Sequence, residues 1–265
     1  MGHPHLPQDV EQARERLRLL ERVEDPATIG YLLQIGVDSS WTCLEVGAGR
    51  GSIAAWLSRR VGPSGRVVAT EIDTRLLGDL ESPNLEIRRH DVAKDDLEVR
   101  CYDLVHVRNV LVHVPEREEV LRKLTSALRP CGWILVEEPD VVTDTADPLV
   151  APPLHDLYRR VVREIQVFAE EAGLDLSFGA EVFGLLRSLG FESLQAEGRA
   201  RMFRGGAHEL ESPQRLAYAD LREPLLATGR LAEQDFDDFL RLFDSPSFAW
   251  RESLRMSTWG RRSRI

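Results

Sequence analysis

Apolar positions recur at helical spacing at the start of the chain and at strand spacing soon after. Val10, Leu17 and Leu20 share one side of a charge-rich run, so residues 9–22 are expected to form an amphipathic helix. Asp25-Pro26 offers an N-cap followed by a proline at the first helical position, which predicts a second helix reaching about Gln34 and stopping near Gly36. Thr42-Cys43-Leu44-Glu45-Val46 is then a short apolar strand that runs into Gly47-Ala48-Gly49-Arg50-Gly51, with a helix directly behind it at residues 52–60. Further strands are expected at 66–70, 85–89, 102–107 and 133–136. They are separated by a short helical segment at 74–80 and a helix at 117–128. Strands and helices joined by short connections imply a parallel sheet covered on both faces.

The second half is less regular. Residues 154–172 and 180–189 have helical patterns, 191–201 and 253–259 have strand patterns, and 209–243 form a helical insertion before the last strand. The expected fold class is therefore α/β, a doubly wound and mostly parallel seven-stranded sheet with a helical cap. Its expected organisation is an N-terminal helix over 1–24, an α/β core over 25–140, and cap insertions with the last strands over 141–265.

Composition narrows the partners. The 265 residues carry a formal net charge of −10, which would repel a phosphate backbone, so no nucleic-acid partner is expected. Arg261, Arg262 and Arg264 lie together near the C-terminus and are taken as a solvated end. Cys43, Cys101 and Cys131 are odd in number, far apart and set in apolar runs. Buried free thiols in a reducing compartment, and hence a cytoplasmic location, are expected. Residues 1–9 lack the apolar core of a signal peptide, and no run approaches about 18 apolar residues, so no membrane partner is expected.

In open α/β sheets, ligands bind outside the carboxyl ends of the strands. Those ends present the glycine loop at 47–51, Glu71 and Asp91. Alternate glycines let a ligand approach the backbone, a carboxylate in the place of Glu71 can accept ribose hydroxyls, and Asp91 can accept from an adenine amine. Taken singly, the loop is an ordinary turn, Glu71 a helix cap and Asp91 a cap of the next segment. Taken together they describe an adenosine site. A nicotinamide cofactor prefers G-x-G-x-x-G, but here Gly51 comes one residue early and Ser52 takes the expected place. Glu45, just before the loop, suits an ammonium better than a pyrophosphate, which points to S-adenosylmethionine.

The run Leu44-Glu45-Val46-Gly47-Ala48-Gly49-Arg50-Gly51 resembles the first motif of class I S-adenosylmethionine-dependent methyltransferases. Val67-Val68-Ala69-Thr70-Glu71-Ile72-Asp73 and His90-Asp91-Val92 resemble the next two. The segment from Tyr102 through Arg108, Asn109 and His113 to Pro115 is similar to the fourth-strand segment of the ubiquinone-methyltransferase-like branch, and Leu128-Arg129-Pro130-Cys131-Gly132-Trp133 to the turn before the fifth strand. Leu225-Leu226-Ala227-Thr228-Gly229-Arg230-Leu231 is similar to bacterial small-molecule methyltransferases of secondary metabolism. The resemblance implies a Rossmann-like methyltransferase fold, S-adenosyl-L-methionine as cofactor, and methyl transfer to an O, N or C atom of a small-molecule acceptor. It implies that Gly47 and Gly49 border the methionine part and the ribose, and that Glu45 helps to hold the ammonium. Glu71 would take the ribose hydroxyls, Ile72 would pack on the adenine, and Asp91 would read its amine beside the Val92 amide. Arg108 would stand at the methionine end or pair with the cofactor carboxylate.

Candidate bases are His106, His113, Asp140 and His155, with His113 preferred and His106 read as a packed core histidine. Metal-dependent catechol methyltransferases place carboxylates where this chain has Arg108-Asn109, so no catalytic metal is expected. Aromatic residues from Tyr158 to Trp250 suit the core of a cap, or an apolar acceptor pocket. An NAD(P)-dependent oxidoreductase and a non-catalytic S-adenosylmethionine-binding scaffold are the alternatives, and a monomer or homodimer is expected.

Overall fold

A computed structural model describes residues 10–78, 80–206 and 213–264. In chain order its elements are α1 (Val10–Ile35), β1 (Thr42–Val46), α2 (Ser52–Val61), β2 (Arg66–Glu71), β3 (Leu85–Arg89), β4 (Tyr102–Arg108), α3 (Arg117–Ala127) and β5 (Leu128–Asp140). There follow β6 (Thr145–Ala146), α4 (Pro152–Glu171), α5 (Phe178–Ser188), β7 (Glu192–Arg199), β8 (Met202–Arg204), α6 (Pro213–Ala219), α7 (Arg222–Ala227), α8 (Glu233–Leu242), β9 (Ala249–Arg251) and β10 (Leu254–Arg261). Short 3-10 turns lie at Thr74–Leu77, Leu111–His113 and Val141–Thr143.

Among the described residues one sheet has seven strands in the order β3-β2-β1-β4-β5-β10-β7. β1 pairs in parallel with both β2 and β4, β2 with β3, and β4 with β5. The chain leaves β1 toward β3 and returns on its other side to β4, so the topological switch point lies between β1 and β4. The central strands read as continuous apolar runs because both their faces are covered. Cys43, Leu44, Val67, Val68, Leu104 and Val105 are all fully buried. On one face Leu32, Ile53, Leu57, Val61 and Trp259 pack with Cys43, Val67 and Leu104 into a single core.

The two predicted N-terminal helices are one. α1 runs through Pro26 without a break. An interior proline removes one backbone hydrogen bond and costs about 3 kcal/mol. Buried Ala13 and Leu19 before it, and Thr28, Tyr31, Leu32 and Ile35 after it, supply packing that outweighs this cost. β5 also begins earlier than expected. The pairing jumps from Tyr102↔Leu128 to Leu104↔Trp133, so the Arg129–Gly132 turn is absorbed as a bulge in a longer strand. Of the three cysteines only Cys43 is buried, whereas Cys101 and Cys131 are half-buried.

The chain divides into two compact units. The first comprises Met1–Glu138, Glu181–Glu197 and Ser257–Ile265, and the second Pro139–Ala180 and Gly198–Met256. Part of the predicted insertion, residues 209–212, lies outside the described residues. The rest is three helices, α6, α7 and α8. The second unit also holds a three-stranded antiparallel sheet, β6-β9-β8, that the sequence pattern did not reveal. These strands are two or three residues long, too short for a period to show. The second unit has its own aromatic core. Tyr158, Phe236, Phe239 and Phe248 are fully buried, and Phe239 meets Tyr158, Tyr218 and Phe243 at ring distances of 5.5, 5.4 and 5.2 Å. Within it Asp144 accepts from Tyr158 Oη at 2.7 Å, from Tyr218 Oη and from Gln214, while Trp250 Nε1 donates to Gln214 at 2.9 Å. No helix among the described residues is long and apolar enough to cross a membrane.

Candidate functional site

The loop after β1 can turn only because of its glycines. Gly47 has φ +67°, and a Cβ there would stand 2.3 Å from Val110 Cγ2. Gly49 has φ +57°, again the left-handed region that costs an L side chain about 1–2 kcal/mol. The Ala48 amide donates to the Thr70 carbonyl at 2.9 Å, tying the loop to the end of β2. There the Glu71 carboxylate accepts from the Gly49 amide and from its neighbour Ile72, both at 2.8 Å. Burial raises the Glu71 pKa against the pull of these amides. The carboxylate is thus locked at the strand end by backbone donors, while its oxygens retain lone pairs for further donors. α1 packs on the same loop: Leu17 is 3.6 Å from where a Gly49 Cβ would lie, and Arg50 donates to the Arg14 carbonyl at 3.2 Å.

Glu45, at the next-to-last position of β1, is buried and belongs to a chain of charges. Its Oε2 accepts from His106 Nδ1 at 2.6 Å, and His106 Nε2 donates to Glu137 Oε2 at 3.0 Å. Thr28 Oγ1 donates to the same Glu137 oxygen at 2.6 Å, and Ser257 Oγ to the other at 2.8 Å. Arg108 donates to Thr28 Oγ1 and to Asp25 Oδ1, each at 2.9 Å. Burial would lower the His106 pKa, but the two carboxylates outweigh it and raise it to about 9. Glu137 shows the converse: burial pushes it up, and His106 and Arg108 hold it down to about 2. The Arg108 guanidinium is therefore committed to α1.

The structure joins Glu45, Gly47, Gly49, Glu71, Ile72 and Arg108 through β1, β2 and β4. Asp91 and Val92 follow β3. Asp91 caps its own turn, with Oδ1 accepting from the Ala93 amide at 3.1 Å and Oδ2 from Lys94 at 2.7 Å. His113 is exposed at the end of a 3-10 turn whose Val110 and Leu111 amides donate to Glu138 Oε1 at 3.0 and 2.8 Å, and whose Val112 amide donates to Oε2 at 3.3 Å. His106 is no free base, and burial raises the Asp140 pKa. Glu137, Glu138, Asp25 and Thr28 were missed by sequence reasoning. Two adjacent carboxylates ending a buried apolar strand were the available signal for the first pair.

A glycine loop locked to a strand-end carboxylate, at the switch point of this seven-stranded sheet, defines the Rossmann-like methyltransferase fold. A family model described as a methyltransferase domain matches residues 6–194. The chain belongs to that family, the class I S-adenosylmethionine-dependent methyltransferases of the ubiquinone-methyltransferase-like type, whose cofactor is S-adenosylmethionine. The ubiquinone/menaquinone biosynthesis C-methyltransferase of Pseudomonas entomophila is 32% identical over 111 residues, 39% of this chain and 43% of that protein. The chain thus matches less than half the length of this curated relative. Among solved structures, a candidate methyltransferase from Bacillus halodurans superposes with a TM-score of 0.58 at 15% identity, covering 89% of this chain and 99% of that one. A Haemonchus contortus phosphoethanolamine N-methyltransferase, solved with S-adenosylhomocysteine, gives 0.50 at 11% identity over 95% of this chain and 52% of that one.

Proposed function

We propose that the chain transfers a methyl group from S-adenosylmethionine to an O, N or C atom of a small-molecule acceptor. The observation that carries this is the Glu71 carboxylate, fixed at the end of β2 by the Gly49 and Ile72 amides. An acceptor of ribose hydroxyls is what an adenosine cofactor requires there. The donor set fits: the strand ends carry the carboxylates of Glu45, Glu71 and Asp91, and the nearby Arg108 is neutralised by Asp25. An ammonium is better matched to these surroundings than a pyrophosphate. When bound, the cofactor supplies a methyl group already activated by its sulfonium.

The chain's own part is then to hold and orient, which can account for much of a transfer rate. Gly47 and Gly49 let the ligand approach the loop backbone, Ile72 offers apolar cover to the adenine, and Asp91 takes its amine beside the Val92 amide. His113, exposed beyond β4, is the titratable group offered to an acceptor that keeps its proton. Residues 25–140 bind the cofactor in this scheme, and the residues beyond them choose the acceptor. The aromatic, largely apolar make-up of the second unit supports that division.

Calorimetry with S-adenosylmethionine, S-adenosylhomocysteine and NAD is expected to show saturable binding of the first two and none of the third. Saturable NAD binding without the others would overturn the assignment in favour of an oxidoreductase. Cofactor binding with no methylated product from any acceptor would favour a scaffold. Glu71→Ala is expected to weaken S-adenosylhomocysteine binding by about 1.5–3 kcal/mol, the range for hydrogen bonds to a charged group. Wild-type affinity in that variant would show that the ribose is held elsewhere.

A further inference from the structure

The proposed function gives Glu45 a ligand, but it gives none to the charged groups behind Glu45. Both nitrogens of His106 face carboxylate oxygens, Glu45 Oε2 at 2.6 Å and Glu137 Oε2 at 3.0 Å. Ionised carboxylates only accept. A neutral imidazole would therefore turn a lone pair toward one of them, whereas an imidazolium donates to both.

The two ends of this bridge differ. Glu137 is anchored from three elements, by Thr28 of α1, His106 of β4 and Ser257 of β10. Glu45 accepts from His106 through Oε2 alone, and among the described residues its Oε1 has no hydrogen-bond partner. Two carboxylates this close and this buried would otherwise repel, and one would take up a proton. The other charged groups of this row are Arg108 beside Glu137 and Asp25 on α1, which pair with each other at 2.9 Å; Glu21 on α1 and its partner Arg50, 3.6 Å apart, stand beside them as a neutral pair. Asp25, Glu45 and Glu137 thus stand against Arg108 and His106, leaving one negative charge in excess.

We propose that His106 is a positioning residue for the amino-acid end of the cofactor. Clamped from the fixed Glu137, its imidazolium keeps Glu45 ionised and holds one of its oxygens, so that the other faces the ligand's ammonium, the cation that balances the chain of charges. This rests on the assignment of Glu45 to the ammonium, and the test separates the two.

The probes are S-adenosylhomocysteine and 5′-methylthioadenosine, which shares the adenosine and the thioether but has no amino-acid group. Each is titrated calorimetrically into wild type, Glu45→Gln and His106→Gln, with thermal unfolding as the control for folding. His106→Gln is expected to weaken S-adenosylhomocysteine about tenfold or more, the size of one hydrogen bond to a charged group, and to leave methylthioadenosine unchanged. Equal losses for both ligands would mean that His106 only supports the sheet, and would overturn the proposal. Loss in Glu45→Gln but not in His106→Gln would overturn it while sparing Glu45. Unchanged affinity in Glu45→Gln would remove the Glu45 assignment and the proposal with it. Should His106→Gln not fold, Glu137→Gln decides by the same ligand comparison, since it keeps an oxygen for His106 but removes the charge that holds the proton.

Discussion

Phe239→Ala is expected to lower the unfolding free energy of the second unit by about 3–5 kcal/mol, the usual cost of removing a buried phenyl ring. Phe239 is fully buried and meets four aromatic rings, so truncation leaves a void that Tyr158, Tyr218, Phe236 and Phe243 cannot all collapse to fill. Urea unfolding followed by tryptophan emission reads the effect, because Trp250 belongs to the same core. A change below about 1 kcal/mol would mean that the rings are loosely arranged, as in an acceptor pocket rather than a packed core. The sequence left both uses open for these aromatics; the burial places Phe239 and Tyr158 in the core. Substitutions meant to alter acceptor choice should therefore avoid them.

Glu138→Ala is expected to cost about 3 kcal/mol and to weaken the cofactor as well. One buried carboxylate serves the Val110, Leu111 and Val112 amides. Its removal leaves three donors without an acceptor, and buried orphans cost more than the net worth of the bonds they lose. The damage reaches the site because Val110 lies against Gly47. Thermal unfolding and S-adenosylhomocysteine titration check the two parts. Glu138→Gln keeps one amide oxygen as acceptor and should fall between Ala and wild type. If Glu138→Ala is as stable as wild type, water must satisfy those amides and the carboxylate is not what holds the turn.

β1, β2 and β4 were legible in the sequence because strands buried on both faces leave apolar runs, and the bounds of β3, a partly exposed edge strand, agree to the residue. The glycine loop and Glu71 were legible because they stand next to those strands. What stayed hidden depends on residues distant in the chain. Nothing near Pro26 shows that Thr28 will meet Glu137, or that Asp25 will meet Arg108. α1 therefore looked like two helices when only its local signals were weighed. His106 was read as a packed core histidine. It is buried, but its carboxylate partners come from β1 and β5, and no local pattern announces such a pairing.

β10 lies between β5 and β7 in the sheet although it is made last. During synthesis both neighbours leave the ribosome with an open edge, and they must wait for residues 254–261 before the sheet is continuous. Until then the sheet carries unpaired backbone donors and acceptors, the kind of surface on which partly made chains stick to one another. Ser257, which anchors Glu137, arrives on that same strand. The charged groups beneath the glycine loop can therefore be completed only once β10 has been made, so a nascent chain should acquire its full affinity for the cofactor in one step when that strand arrives.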